Sequence, residues 1–300
     1  MLSVRFWGVR GSIPCPGPDT VIYGGNTSCI EIRADERLII IDLGTGARPL
    51  GDWLAKNDLQ KYKKIKADIF VTHTHWDHIM GFPMFTPIYI PGTELRITGP
   101  ASFEEDNIKN IFEEQLSYKY WPVRIDELAA KIEYNQIKET ELDLGGGISV
   151  TSKFLNHPVF CLGYRFGYQG KSVAIIFDHE PFRNLFSLKG VDDFIDEETM
   201  KEGEAAASEE NDKIIKFLKY ADIVIHDTQY TVDEYQKKTG WGHASYDHAV
   251  HAALAAEAKK LVFYHHDPAH TDSQLEHIEN DYADCGIQCI MAKEGITLEV

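Results

Sequence analysis

Positive charge is scarce in this 300-residue chain: 30 lysines and arginines face 47 aspartates and glutamates, a formal net charge of −17. Long nucleic acids are gripped by clustered Lys and Arg, so this balance argues against a broad polyanion-binding surface. A small anionic substrate stays open, because bound divalent cations are missing from that count and reverse the local field. Cysteine is sparse too. Cys15, Cys29, Cys161, Cys285 and Cys289 form an odd set without a C-x-x-C pair, which fits reduced structural thiols in a cytoplasm better than a disulfide framework. Cys285 and Cys289 read either as half a metal site or as small buried residues. No stretch approaches the roughly 18 apolar residues of a membrane span. The opening MLSVRFWGVRGS lacks a basic segment followed by an apolar one, so the expectation is a cytoplasmic protein with no membrane partner. Short-period repeats and low-complexity tracts are absent as well.

What the chain does have is hydrophobic periodicity. LSVRFWGV alternates, SCIEIRA follows a YGGNTS turn, and RLIIID is a continuous apolar run ending at LGTGARP. ARPLGDWLAKN reads as a short helix and ADIFVTHTH as another buried strand. FEEDNIKNIFEEQL has helical spacing and precedes the aromatic stretch SYKYWPV. KIEYNQI, GISVTSKFLNH and LGYRFGY are strand candidates, and a QG turn joins the last to KSVAIIFD as a hairpin. The last third alternates helix and strand: KIIKFLKY, DIVIHD, YDHAVHAALAAEAKK, LVFYHHD, DSQLEHIENDYADCG, ITLEV. Two strand-rich halves, each ending in helices, imply two sheets packed face to face with helices outside. The expected organisation is one domain over 1–300. It carries a helical, aromatic insertion at about 101–130 and an acidic, lid-like insertion at about 181–212, in which KEGEAAASEEN looks least ordered.

The densest chemistry is HTHWDH, where His73, His75, Asp77 and His78 fall within six positions behind an apolar strand. On an extended backbone His73 and His75 share a side and can reach one ion, while Asp77 and His78 turn toward a second. Imidazole plus carboxylate without thiolate suits Zn, Mn or Fe in sites that keep positions open.

HTHWDH resembles the H-x-H-x-D-H motif of the metallo-β-lactamase fold superfamily, and the strand pattern around it agrees. The resemblance implies an α/β fold, an αββα sandwich of two mixed β-sheets with helices on the outer faces. It also implies two divalent metal ions per chain, Zn foremost and Mn or Fe as alternatives. The remaining ligands it implies are His157 in FLNHPVFCLGYRF, Asp178 in VAIIFDHE, and a histidine ending LVFYHHD, His265 or its neighbour His266. His73, His75 and His157 would hold one ion, Asp77, His78 and His265 the other, with Asp178 bridging. Asp42, ending IIIDLG, is expected to hydrogen-bond the ligand histidines or simply to cap its turn.

Within the superfamily, flavodiiron proteins usually carry a carboxylate where this chain has His75, and lactamases mostly lack the Asp77–His78 pair together with HDTQY. Lactonases and glyoxalase-type thioesterases stay open on ligands alone. IVIHDTQYTVDEY…GWGHASYDHAV resembles the phosphodiesterase branch typified by ribonuclease Z, with Asp227 where that branch has Glu and His243 matching its histidine. The resemblance implies Asp77, Asp227 and His243 as catalytic residues, His243 donating a proton to a departing alkoxide. The tRNA-processing members carry a basic arm or surface that this chain lacks. The expected substrate is therefore a small phosphodiester, best a 3′,5′-cyclic nucleotide cleaved to the nucleoside monophosphate. Alternatives are a phosphoribosyl cyclic phosphate, an RNA 3′ end, a thioester or lactone, or a non-catalytic metal-bound sensor. Dimers are common in the family, so the resemblance allows a homodimer, while the sequence itself leaves the oligomeric state open. Phe82, Phe85, Tyr118, Tyr120 and Trp121 are candidates for stacking on a base or for packing, and Asn26 and Thr27 for lining the phosphate site or shaping a turn.

Overall fold

Leu38 to Ile41 form an unbroken apolar run because both faces of that strand are covered: Ile39 and Ile41 point between two sheets, Leu38 and Ile40 toward helices. The computed structural model describes residues 1–100, 107–187 and 196–300. In chain order its elements are β1 (Leu2–Gly8), β2 (Cys29–Ala34), β3 (Arg37–Ile41), α1 (Ala47–Lys56), α2 (Asp58–Tyr62), β4 (Lys66–Phe70), α3 (Trp76–Ile79), β5 (Glu94–Pro100) and α4 (Ile108–Gln115). They continue with β6 (Lys131–Ile137), β7 (Glu141–Asp143), β8 (Ile148–Leu155), β9 (Cys161–Tyr168), β10 (Lys171–Ile176), α5 (Glu197–Leu218) and β11 (Ile223–Asp227). The last are α6 (Val232–Lys238), α7 (Tyr246–Ala255), β12 (Lys260–Tyr264), α8 (Asp272–Asp281), β13 (Gln288–Met291) and β14 (Thr297–Glu299).

The strands build two seven-stranded mixed sheets, ordered β14-β1-β2-β3-β4-β5-β6 and β13-β12-β11-β10-β9-β8-β7. In the first, β14, β1, β2 and β3 pair antiparallel and β3 to β6 run parallel; in the second, β7 to β10 are antiparallel and β10 to β13 parallel. Phe6, Ile30, Ile39 and Phe70 from one sheet and Tyr164, Phe166, Ile175 and Tyr264 from the other meet in the central core. At about 1.5–3 kcal/mol per large apolar side chain, this layer is the main cohesive force of the fold. Leu50 and Leu54 of α1 seal the outer face of the first sheet; Ile214, Ala249 and Leu275 of α5, α7 and α8 seal that of the second. This is the expected sandwich. The Gln169-Gly170 turn between β9 and β10 has both residues at positive φ, 50° and 77°, as a tight hairpin requires.

ITLEV forms a strand as expected, and β14 crosses back to pair with β1 in the first sheet. Two expectations are corrected. KEGEAAASEEN is ordered within the 22-residue helix α5, whose first turn is capped by Asp196 accepting from the Thr199 N–H. Of the two expected insertions, residues 101–106 and 188–195, including Phe103, lie outside the described residues. Cys285 and Cys289 are half-buried rather than buried, with sulfurs 3.0 Å apart. Among the described residues no helix is long and apolar enough to cross a membrane.

Candidate metal centre

Strand ends from both sheets converge on one edge of the sandwich. Asp42 follows β3, and His73, His75, Asp77 and His78 follow β4. From the second sheet come His157 after β8, Asp178 after β10, Asp227 at the end of β11 and His265 after β12. Phe177 and Tyr264, each one residue before a site residue, stack with ring centroids 4.3 Å apart, which fixes Asp178 against His265. Asp42, Asp178 and His265 turn inward through positive φ values of 60°, 48° and 64°. For residues other than glycine that conformation costs on the order of 1 kcal/mol each, strain the surrounding sheets must hold.

The geometry separates two donor groups that share one carboxylate. His73, His75, His157 and Asp178 present ligand atoms all within 4.8 Å of one another, and so do Asp77, His78, Asp178 and His265. Asp178 Oδ2 lies 3.4 Å from His73 Nε2 and 3.7 Å from His157 Nε2, while His157 Nε2 is 3.1 Å from His75 Nδ1. Asp178 Oδ1 lies 3.2 Å from both His78 Nε2 and His265 Nε2, and Asp77 Oδ2 is 3.3 and 3.1 Å from the same nitrogens. Atoms bound at about 2.0–2.1 Å to a tetrahedral ion stand about 3.4 Å apart, so both spacings fit a cation. His73 Nε2, His78 Nε2 and Asp178 Oδ1 are buried without a hydrogen-bond partner. Polar atoms in that state are costly unless something absent from the protein satisfies them, and all three lie in these two groups. A third group, Asp178, Asp227, His243 and His265, also clusters. There, however, His243 Nδ1 is taken by Asp227 Oδ2 at 2.8 Å.

The histidine tautomers are set from behind. His78 Nδ1 donates to Asp42 Oδ2 at 2.7 Å, His157 Nδ1 to the Gly242 carbonyl at 3.0 Å and His265 Nδ1 to Gln229 Oε1 at 3.0 Å. His73 Nδ1 lies 3.2 Å from Thr72 Oγ1. Each contact leaves Nε2 with its lone pair turned inward. Burial pushes His73 well below its ordinary pKa and His157 down to about 4, which keeps both neutral and able to ligate. Burial opposes the charge on His78, yet Asp178, Asp77 and Asp42 outweigh it and hold its pKa well up. Three carboxylates around one buried imidazole show how strongly the pocket favours positive charge, which either a proton on Nε2 or a cation bound there would supply. Asp42→Ala should weaken metal affinity about 10–100-fold, read by competition with a chromogenic chelator; unchanged affinity would reduce Asp42 to a turn cap.

His266 points elsewhere. Its Nε2 donates to the Ala292 carbonyl at 2.9 Å, its ring packs edge-on to Tyr23, and burial lowers its pKa to about 3. The geometry thus brings His265, not His266, into the cluster. The proposed substrate contacts fare less well. Phe82 and Phe85 are fully buried in the core beneath α1 and cannot meet a ligand. Thr27 exchanges hydrogen bonds with Thr45, and the Asn26 amide is held by Glu294, so both shape the turn. Trp121 is half-buried with its indole N–H donated to Tyr89, while Tyr118 and Tyr120 are exposed. None of these seven lines the cleft.

An open cleft of about 260 Å³ over the metal groups is lined by Ser12, His75, Trp76, Asp77, Asp178 and His243. Ser12 and Trp76 were not singled out from the sequence. The Ser12 N–H donates to Asp77 Oδ2 at 2.7 Å, a backbone contact no side-chain pattern announces. Glu180 was missed too. It accepts from the N–H groups of Gly240 and Gly242 and from Tyr235 Oη, clamping the loop that carries His243. Gly242, at φ 86°, sits where a Cβ would come within 2.4 Å of His157 Nδ1, so only glycine lets that loop approach. The ring of His243 stacks on His265, centroids 5.1 Å apart. Burial lowers the His243 pKa, but Asp227, with Asp178 and Asp77 behind it, outweighs this and raises it to about 9.

Two fused His/Asp donor groups at the strand ends of a two-sheet sandwich make a candidate metal centre. Residues 22–163 match the metallo-beta-lactamase superfamily model. A ribonuclease Z from Streptococcus equi subsp. equi is 27% identical over 261 residues, covering 74% of this chain and 78% of that protein. The metallo-beta-lactamase fold protein YhfI from Bacillus subtilis superposes with a TM-score of 0.65 at 18% identity, covering 100% of both chains. A diphosphatase from the PhnP family gives 0.62 at 19% identity, covering 100% of this chain and 98% of that one. Residues 22–163, just under half of the chain, match a metallo-β-lactamase superfamily domain, and the whole chain shares the fold of that superfamily.

Proposed function

We propose that the protein is a dinuclear phosphodiesterase acting on a small phosphodiester, with a 3′,5′-cyclic nucleotide the preferred substrate and the nucleoside monophosphate the product. One observation carries the reading: Asp178 faces two histidine sets with opposite oxygens, while His73 Nε2, His78 Nε2 and Asp178 Oδ1 lie buried and unpartnered between them. Two cations satisfy all three at once. His73, His75 and His157 would hold one ion and Asp77, His78 and His265 the other, with Asp178 serving both groups. Zn suits this donor set best, with Mn or Fe as substitutes. Two divalent ions bound there supply Lewis-acid polarisation of the phosphoryl oxygens and water acidic enough to attack near neutral pH.

The chain's own residues do the rest. Asp77, on the cleft wall, helps orient the attacking water. His243, its Nδ1–H held by Asp227 at 2.8 Å, has Nε2 available to protonate the departing ribose oxygen. A thioester or lactone has a better leaving group and needs no such acid, which favours the phosphodiester. Substrate size follows from charge. The ribonuclease Z relatives are named for action on RNA, but this chain's net charge is −17 and, among the described residues, no Lys or Arg lines the cleft. One phosphate can be held by two metals alone, whereas a long polyanion needs counter-charges along its length. The Zn- or Mn-loaded protein should therefore cleave cyclic AMP far faster than a precursor tRNA, a thioester or a lactone at physiological salt. Efficient tRNA processing would overturn the small-substrate reading, and faster thioester or lactone turnover the phosphodiester one.

A further inference from the structure

We infer that Trp76 selects the substrate: its indole is the aromatic wall of the cleft and stacks on the base of a nucleoside phosphodiester. This rests on the phosphodiesterase reading and adds the residue that would make the site prefer a nucleoside. Trp76 lies between two proposed ligands, His75 and Asp77, as the first residue of α3, so its backbone is fixed wherever the metals are held. Its side chain is nevertheless 64% exposed, although a tryptophan ordinarily buries most of its surface. Trp76 lines the same open cleft as Asp178 and His243.

The other described lining residues offer a base little. His75, Asp77 and Asp178 belong to the metal groups, His243 is held by Asp227, and no Lys or Arg is among them. Affinity for the part of the ligand beyond the phosphate must come from apolar and π contact, and Trp76 is the only aromatic hydrocarbon-rich surface among the lining residues. A base offers a flat π face that stacks without demanding charge, which suits an acidic chain. Phe82 and Phe85, the nearer aromatics in sequence, are sealed in the core. A second exposed indole, Trp241, stands two residues before His243 on the loop clamped by Glu180.

The test uses two substrates with one leaving group. Thymidine 5′-(p-nitrophenyl phosphate) carries a base, and methyl p-nitrophenyl phosphate carries a methyl in its place. The metal-loaded wild-type protein should prefer the thymidine ester in kcat/KM. Trp76→Ala should cut that preference about tenfold or more, chiefly through KM, because stacking binds ground and transition states alike. Trp76→Phe, which keeps an aromatic face, should retain the preference to within about threefold of wild type. Metal content and circular dichroism verify that both variants are folded and loaded. A preference unchanged in Trp76→Ala, or a wild-type protein that cleaves both esters equally well, overturns the stacking role and leaves the phosphodiesterase reading standing. Cleavage of neither ester by the loaded wild-type protein sinks both.

Discussion

Asp178→Ala is expected to lose at least one of two bound ions and to lower phosphodiester hydrolysis by about a thousandfold or more. Its two oxygens face different donor groups, Oδ2 toward His73 and His157, Oδ1 toward His78 and His265. Burial alone would raise the Asp178 pKa, but His265, His78 and His73 together hold it well below the usual carboxylate range, so an anion is present at any working pH. Removing it leaves two adjacent cations without the charge that screens one from the other. Lewis-acid stabilisation worth several kcal/mol is then at stake, and about 1.4 kcal/mol is a factor of ten in rate. Elemental analysis alongside turnover of bis-p-nitrophenyl phosphate reads both effects. A fully active variant with undiminished metal content would contradict a bridging role.

His243→Ala should be selective in what it damages. Loss of a general acid typically costs about 10²–10⁴-fold, and the cost falls on substrates whose leaving group needs a proton. Cyclic-nucleotide hydrolysis expels an alkoxide and should drop by that range, whereas bis-p-nitrophenyl phosphate, which expels a stable nitrophenolate, should lose far less. Asp227→Asn, which keeps a hydrogen-bond partner but not the charge, should show the same bias more weakly. The pH dependence has a fixed sign. A raised pKa keeps the acid loaded below it, so cyclic-nucleotide turnover should fall on the alkaline side, with no matching fall for the nitrophenyl ester. Asp178 and Asp77, which help Asp227 lift His243 to about 9, are neutralised by bound ions, so in the loaded enzyme that limb should lie below 9. Equal slowing of both substrates with metals retained would make His243 a positioning residue.

The parts of the site that coordination chemistry dictates were legible in the sequence. HTHWDH could be read because few residue types bind such ions and the spacing places them together; His157, Asp178 and His265 were reached only through the resemblance to the superfamily, each matched behind an apolar strand. His265 and His266 could not be separated by pattern: adjacent residues on a strand end differ only in which way the chain turns, and here a positive φ at His265 decides it. The aromatic residues misled for a related reason. Phe82 opens one short 3-10 turn and Phe85 joins it to the next, and so few residues give no periodicity from which to read a buried face. KEGEAAASEEN looked unordered because only Ala207, Ile214 and Leu218 of α5 are buried. Its Ala, Glu and Lys are nonetheless strong helix formers, and Lys201–Glu197 and Lys213–Glu209 pair at i,i+4, a signal that propensity would have found. Glu180 and Ser12 act through contacts spanning about 60 residues, which no local window contains.

The most direct test of a two-ion phosphodiesterase is a titration of chelator-stripped protein with Zn or Mn, following hydrolysis of bis-p-nitrophenyl phosphate at each addition. Activity should be negligible without metal, rise with added ion and reach its plateau at two equivalents per chain. A plateau at one equivalent, or a fully loaded protein that leaves the phosphodiester intact, would contradict the account.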